Sequence, residues 1–438
     1  MEKAPPSPPL PITHNHINYK ARLDFIRNLF REQYGVMEPV KIVPIDYDPT
    51  CIHRYNNFVY LIQLPPGADV LQSPSQAQQP GCVPIPKDQT SLILRLTNHA
   101  ARGLAPITRV ENEVGMMNLA SSALQAINPS IIPRVYGWSS AGKTPQGWIL
   151  QEYMNGKTID EKTFNSLSLE KRKHILAQIA QIVKALQDFE LPASITEFGG
   201  VTFNEAGEIV SAAMTTFGAG PWPTYDYAIR GRLKVALETA DRNNYIKGWQ
   251  ANNIRSRLDK FIESGLSAQL APLATKDEKT IVHLDLNTMN LLIDPLTHRI
   301  NALIDWDFSA ILHPSYEFLH SFSGCGEQLP GWSTSFSSLA LRELKLHGFP
   351  SPLPNSENFD FSWETAKAWE DELERVEAKR PRTMIGVKKV ADIDALLIAL
   401  VPWLLDTPEV RDSLGNRLLK VREHCEKELS DLLKHLGF

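Results

Sequence analysis

The stretch from Ile281 to Asp307, IVHLDLNTMNLLIDPLTHRINALIDWD, restricts the possible folds more than any other part of the chain. Three short apolar runs, Ile281 to Leu286, Leu291 to Asp294 and Ile300 to Asp305, read as strands, and Pro295 to Arg299 forms the turn between the last two. An antiparallel hairpin centred between Thr297 and His298 sets Asn290 directly opposite Asp305. Opposed residues approach to about 5 Å at their Cβ atoms, so an amide oxygen and a carboxylate would face a common point. That pair suits Mg²⁺, which takes one or two protein ligands and completes its shell with water and phosphate oxygens. Asp285 stands in the loop entering the hairpin, where it can take the proton of a hydroxyl that attacks phosphate. His283 is assigned to stabilising that loop.

The same residue types occur in ordinary turns, since Asp and Asn favour loops and Asp294-Pro295 forms a turn whatever the function. The flanking apolar runs and the placement of Asp305 favour an active site over that plain alternative. The chain has 438 residues, 43% of them hydrophobic, enough for one large core or two moderate ones, and its length favours two lobes. Its 45 Lys and Arg face 50 Asp and Glu, a formal charge of -5, so no basic excess points to nucleic acid as a partner. Cys51, Cys82, Cys325 and Cys425 form no CxxC or Cys/His cluster, which argues against a disulfide framework or thiolate metal site and fits a reducing compartment. No run approaches the ~18 apolar residues of a membrane span. The expectation is a cytoplasmic protein with no membrane partner; oligomeric state has no signal.

Organisation along the chain follows from periodicity. Residues 1–16 are a flexible Pro-rich tail without targeting character. A helix over Ile17 to Tyr34 is closed by Gly35, and strands are expected at Val40 to Ile45, Phe58 to Leu64, Ser91 to Leu96, Ile132 to Tyr136 and Trp148 to Tyr153. Arg109 to Leu124 reads as a helix among them, and the Pro-, Gly- and Gln-rich residues 65–90 as a long mobile loop. After Asn155 and Gly156 the pattern turns helical, with helices at Leu169 to Phe189, at Tyr245 to Ser264, and at the end from Asp406-Thr407-Pro408-Glu409 onward. The turn Asn204-Glu205-Ala206-Gly207 interrupts it as a hairpin. The predicted domains are therefore an N-terminal lobe over 17–154 and a catalytic and acceptor lobe over 155–438.

The spacing H-x-D-L-x-x-x-N, followed by a strand ending in Asp, is the catalytic-loop pattern of the protein-kinase-like fold. The sequence resembles the aminoglycoside phosphotransferase and choline kinase family, especially its fungal branch, through VHLDLNTMN, ALIDWDF and HPSYEFLHSF. The resemblance extends from about Asn57 to the C-terminal helices. It implies an α+β, bilobal, protein-kinase-like fold: an N-terminal antiparallel sheet with a helix and a larger, mainly helical C-terminal lobe. It makes Asp285 the catalytic base, with His283 beside it, and Asn290 and Asp305 the Mg²⁺ ligands. Where family members commonly have Gly, this chain has Leu284.

For the nucleotide, ATP, the resemblance points to Asn56 and Asn57 as part of a cover loop, to Arg95 paired with Glu113 (Glu111 being the near alternative), and to backbone groups near Glu152 and Met154 as the adenine hinge. Ordinary turn, exposed Arg and plain strand end are the competing readings of those residues. Glu317 and His320 are read as structural, Asp307 as supporting the metal or meeting a cationic acceptor, and Trp222, Trp332, Trp363 and Trp369 as core. Asp-Trp-Asp in place of Asp-Phe-Gly, and the long insertion before the catalytic loop, disfavour protein kinases as relatives. The expected function is ATP- and Mg²⁺-dependent transfer of phosphate to a small-molecule hydroxyl. The alternative is a pseudokinase that binds nucleotide or metabolite without transfer, suggested by Leu284 and the Gly-poor cover.

Overall fold

A computed structural model describes residues 13–37, 41–51, 53–65, 79–142, 146–354, 359 and 361–438. They pack as two units, one within 1–110 and 134–153, the other within 111–133 and 154–438. The first is built on five antiparallel strands, β1 (Lys41–Ile45), β2 (Asn57–Gln63), β3 (Ser91–Thr97), β4 (Val135–Ser139) and β5 (Trp148–Glu152), in the order β1-β2-β3-β5-β4. Along β2 half-buried and buried residues alternate, as a strand with one covered face requires. The helix Tyr19–Tyr34 supplies the cover: Ile26, Leu29, Phe30 and Tyr34 enter one core with Tyr60, Ile62, Leu92, Leu94 and Leu150. Gly35, at φ 67, ends that helix by returning its N–H to the Phe30 carbonyl, the left-handed cap that glycine takes without steric cost.

Three expectations for this unit need correction. β4 begins at Val135 and not at Ile132, because Pro133 has no N–H for the ladder. Residues 1–12 of the expected tail and 66–78 of the expected loop lie outside the described residues. The rest of each is tied down. Asn15 is wholly buried, donating to the His53 carbonyl at 2.7 Å and accepting from the Tyr55 N–H at 3.1 Å. In the second half of the loop, Gln79 donates to the Trp138 carbonyl and the Val83 N–H to that of Val135, both at 2.9 Å.

The second unit is mainly helical, with its longest helices at Leu169–Asp188, Tyr225–Arg242, Val387–Leu400 and Leu418–His435. Six short strands, β6 (Gly200–Phe203), β7 (Ile209–Ala212), β8 (Thr280–Val282), β9 (Leu291–Ile293), β10 (Ile300–Leu303) and β11 (Ala310–Leu312), make three two-stranded ribbons: β6-β7, β8-β11 and β9-β10. The helix Arg109–Leu124 belongs to this unit from Glu111 onward. The expected helix Tyr245 to Ser264 is broken, because Gly248, Asn252 and Asn253 adopt positive φ and regular helix begins only at Ile254. Gly and Asn are the residues that enter this left-handed region most cheaply. Likewise the expected final helix is two, Pro408–Leu414 and Leu418–His435, parted at Gly415. The architecture is the α+β class expected, and among the described residues no helix is long and apolar enough to cross a membrane.

Candidate active site

The hairpin that organises the site has a register one residue from the expected one. β9 and β10 pair Leu291 with Leu303, and the Ile304 N–H donates to the Asn290 carbonyl at 2.9 Å, so Asn290 stands opposite Ile304 and not Asp305. An irregularity between Ile300 and Ala302 shifts the ladder. In a regular strand such a slip would send the next side chain to the other face. Asp305 leaves strand geometry instead, at φ 65.

The strand expected over Ile281 to Leu286 stops at Val282, and the residues after it form a fixed loop. Glu317, from the helix Ser315–His320, accepts from the backbone N–H of His283 at 2.8 Å and of Leu284 at 3.2 Å. Ser321, whose hydroxyl contacts Glu317, accepts from the Leu286 N–H at 2.8 Å. Two adjacent amides aimed at one carboxylate require a sharp turn, and Leu284 makes it at φ 67. Inside the loop both oxygens of Asp285 are held: Asn287 Nδ2 lies 2.8 Å from Oδ1 and Asn290 Nδ2 lies 2.8 Å from Oδ2. Burial is the main cause that pushes the Asp285 carboxyl up to about 6; the Asn290 bond opposes it, Asp305 adds to it and the Asn287 bond opposes it. His283 is wholly buried, with Nε2 3.1 Å from the Ile304 carbonyl and its ring against Trp306 at 4.6 Å between centroids. Burial pushes its imidazole down to about 4, so it is a neutral prop between loop and hairpin.

A carboxylate cluster lies in the same unit. Oxygens of Glu113, Asp305 and Asp307 fall within 4.8 Å of one another, with Glu113 and Asp307 buried and Asp305 half-buried. Asn112 fixes the helix that carries Glu113: its amide donates to the Ser309 carbonyl at 2.9 Å, and its oxygen accepts from the Val201 N–H at 2.8 Å. Gly200 leaves the room for this, since a Cβ there would meet Asn112 Oδ1 at 2.7 Å. An all-oxygen donor set of this size fits a hard divalent cation. Asn290, whose Nδ2 is engaged by Asp285, has its Oδ1 as the remaining polar atom. Asn287 and Asn112 did not emerge from the sequence, whereas Asp307, read there as supporting the metal or meeting a cationic acceptor, lies within the carboxylate cluster. Asn287 was open to detection, two residues past Asp285 where a short amide can reach back; Asn112 was not, because its partners are remote in the chain.

The remaining expected residues lie in or next to the first unit. Asn56 and Asn57 are anchored by Arg109, whose Nη2 is 3.2 Å from the Asn56 carbonyl and 3.2 Å from Asn57 Oδ1. Asn98 adds its N–H to the Asn56 carbonyl and its side chain to that of Tyr55. Arg95 is buried at the middle of β3, in register with Val59 and Ile149. Glu152 ends β5 in a forked ion pair with Arg134, at 2.7 and 2.9 Å, while its own N–H is taken by the Arg134 carbonyl. Met154 follows, half-buried.

Comparison with curated proteins gives no match. Solved structures with a similar chain course include an ethanolamine kinase of Plasmodium vivax, 13% identical, covering 95% of this chain and 89% of that one at a TM-score of 0.47. They also include the streptomycin-ATP-APH(2")-IIa ternary complex, 12% identical, covering 92% and 97% at a TM-score of 0.47. The model of the phosphotransferase enzyme family matches residues 86–343, more than half the chain and the whole of the catalytic loop, hairpin and carboxylate cluster. The chain belongs to the phosphotransferase enzyme family.

Proposed function

We propose that the protein transfers the γ-phosphate of ATP, with Mg²⁺, to a hydroxyl group of a small molecule. The observation that carries this reading is the Asp285 carboxylate, held at both oxygens by Asn287 and Asn290 in the unit that also gathers Glu113, Asp305 and Asp307. Asp285 orients the acceptor hydroxyl and takes its proton as the oxygen bonds to the γ-phosphorus; the bond to the β,γ-bridging oxygen breaks and its electron pair leaves with ADP. Asn287 and Asn290 fix the carboxylate, so little reorganisation is needed at the moment of transfer. His283 and Glu317 hold the loop. Asp305 and Asn290, with Asp307 and Glu113 beside them, are the residues that would hold Mg²⁺. Bound there, the ion would offset negative charge developing on the phosphates. Arg95, the anchored Asn56-Asn57 turn and the backbone at Glu152 in the first unit, with Met154 just after it in the chain, are the proposed nucleotide contacts.

Replacing Asp285 by Ala tests the reading. The variant is expected to keep MgATP binding and a normal melting curve while losing about 10²- to 10⁴-fold in phosphoryl transfer, measured as acceptor-dependent ADP release. Transfer at the parent rate would remove Asp285 from the chemistry.

A further inference from the structure

The helix Ser315–His320 has two working faces. Glu317, with Ser321 just beyond, grips the catalytic loop; Tyr316 and His320 form the neighbouring row, their rings stacked at 5.9 Å and 6°. Against that second row lies Arg232, from the helix Tyr225–Arg242 and 3% exposed. Its guanidinium carbon is 4.5 Å from the Tyr316 ring centroid and 4.9 Å from that of Phe217, so two aromatic rings lie close to it. Nε and Nη1 are buried without a hydrogen-bond partner. Asp394 Oδ1 stands 3.9 Å from Nη2, beyond hydrogen-bond range, and is 3.1 Å from His320 Nε2.

A guanidinium binds oxygens in its plane and aromatic rings on its faces. Here two rings lie close by while Nε and Nη1 stay unsatisfied inside the protein, an arrangement that costs free energy unless a ligand completes it. Phe217, half-buried on a segment with Gly218 at φ 61 and Gly220 at φ 95, is the group that would move to admit one. We propose that Arg232 is the recognition point for an oxyanion, a carboxylate or phosphate, carried by the hydroxyl acceptor. The acceptor's anionic group would then lie against the helix that fixes the Asp285 loop. This rests on the phosphotransfer reading and narrows its acceptor class to hydroxy acids or phosphorylated alcohols, as against cationic amino alcohols.

Two measurements on the parent, Arg232→Lys and Arg232→Gln test it. Without nucleotide, sodium malonate and inorganic phosphate are titrated against the melting temperature; whichever acts identifies the oxyanion. A concentration-dependent rise is expected in the parent, about tenfold weaker in Arg232→Lys and absent in Arg232→Gln. Equal responses in all three proteins, or none in the parent, would overturn the proposal. If Arg232→Gln does not fold, Arg232→Lys carries the comparison. With MgATP, a panel of hydroxy acids, sugar phosphates and amino alcohols is assayed for turnover. The anionic acceptor's KM is expected to rise about 100-fold in Arg232→Gln while kcat changes less than about threefold, the pattern of lost binding and not of lost chemistry. Turnover of amino alcohols alone would reject the oxyanion while leaving phosphotransfer intact. Malonate or phosphate binding through Arg232, with no turnover of any acceptor, would keep the site and reject phosphotransfer.

Discussion

Leu284 occupies the left-handed backbone region, where a side chain costs about 1–2 kcal/mol, yet its N–H still reaches Glu317. The position therefore takes a left-handed turn of the kind that glycine makes without steric cost. Leu284→Gly exchanges the steric cost for about 0.5–1 kcal/mol of added chain entropy, so urea denaturation is expected to show a stability change between zero and about 1.5 kcal/mol in favour of the variant. Leu284→Val, β-branched, is expected to lose more than about 1 kcal/mol. At the next residue the sign is set by protonation. Because Asp285 has its carboxyl pushed up to about 6 in the fold, the folded protein binds that proton more tightly than the unfolded chain. Its contribution is favourable below the ordinary carboxyl range and is lost as pH rises through about 6. Asp285→Asn, melted in EDTA, should thus be more stable than the parent at pH 8, on the order of 1–2 kcal/mol after screening, with the difference gone at pH 4. A pH-independent difference would contradict the assignment.

Elements in this protein are joined at the site by single polar side chains. Glu317 ties a six-residue helix to the loop after β8, and its carboxyl is raised chiefly by burial, with the Ser321, His283 and Leu284 hydrogen bonds opposing. Glu317→Ala leaves two backbone amides unpaired, one buried and one part-buried, so a loss of about 2–4 kcal/mol is expected in chemical denaturation, together with lower kcat from a loosened Asp285. Unchanged kcat in a folded variant would show that the loop holds itself. This is also where the sequence was and was not informative. β2 was legible from its alternation and β3 from its continuous apolar run, both local signals, and the catalytic loop because its polar residues sit at fixed short spacing. The register of β9 on β10 was not, since an irregularity at Ile300/Ala302 and the left-handed Asp305 change which residues face each other without altering the apolar pattern. Asn15 was hidden inside an apparently featureless tail, because one buried amide leaves no periodic trace.

On the scale of the whole molecule, the carboxylate cluster is a long-range product of folding: Glu113 enters from a helix far ahead in the chain of the segment that carries Asp305 and Asp307. An unfolded chain with a formal charge of -5 has no comparable convergence of oxygens, so a divalent ion that binds there should bind the folded state alone. Linkage then predicts stabilisation that grows with the logarithm of ion concentration, about 2.7 kcal/mol at a hundred times the dissociation constant. General screening would behave differently, following ionic strength and saturating within the Debye regime for any salt. The measurement is the melting temperature against MgCl₂, matched in ionic strength with NaCl, for the parent and for a variant carrying Asp305→Asn with Asp307→Asn. The parent should respond to Mg²⁺ and not to Na⁺. The double variant should start as stable as the parent or more so, because like charges have been removed from a tight cluster, and should respond to neither salt. Equal responses to both salts, or an undiminished Mg²⁺ response in the double variant, would place the ion elsewhere and leave the cluster as a purely structural knot.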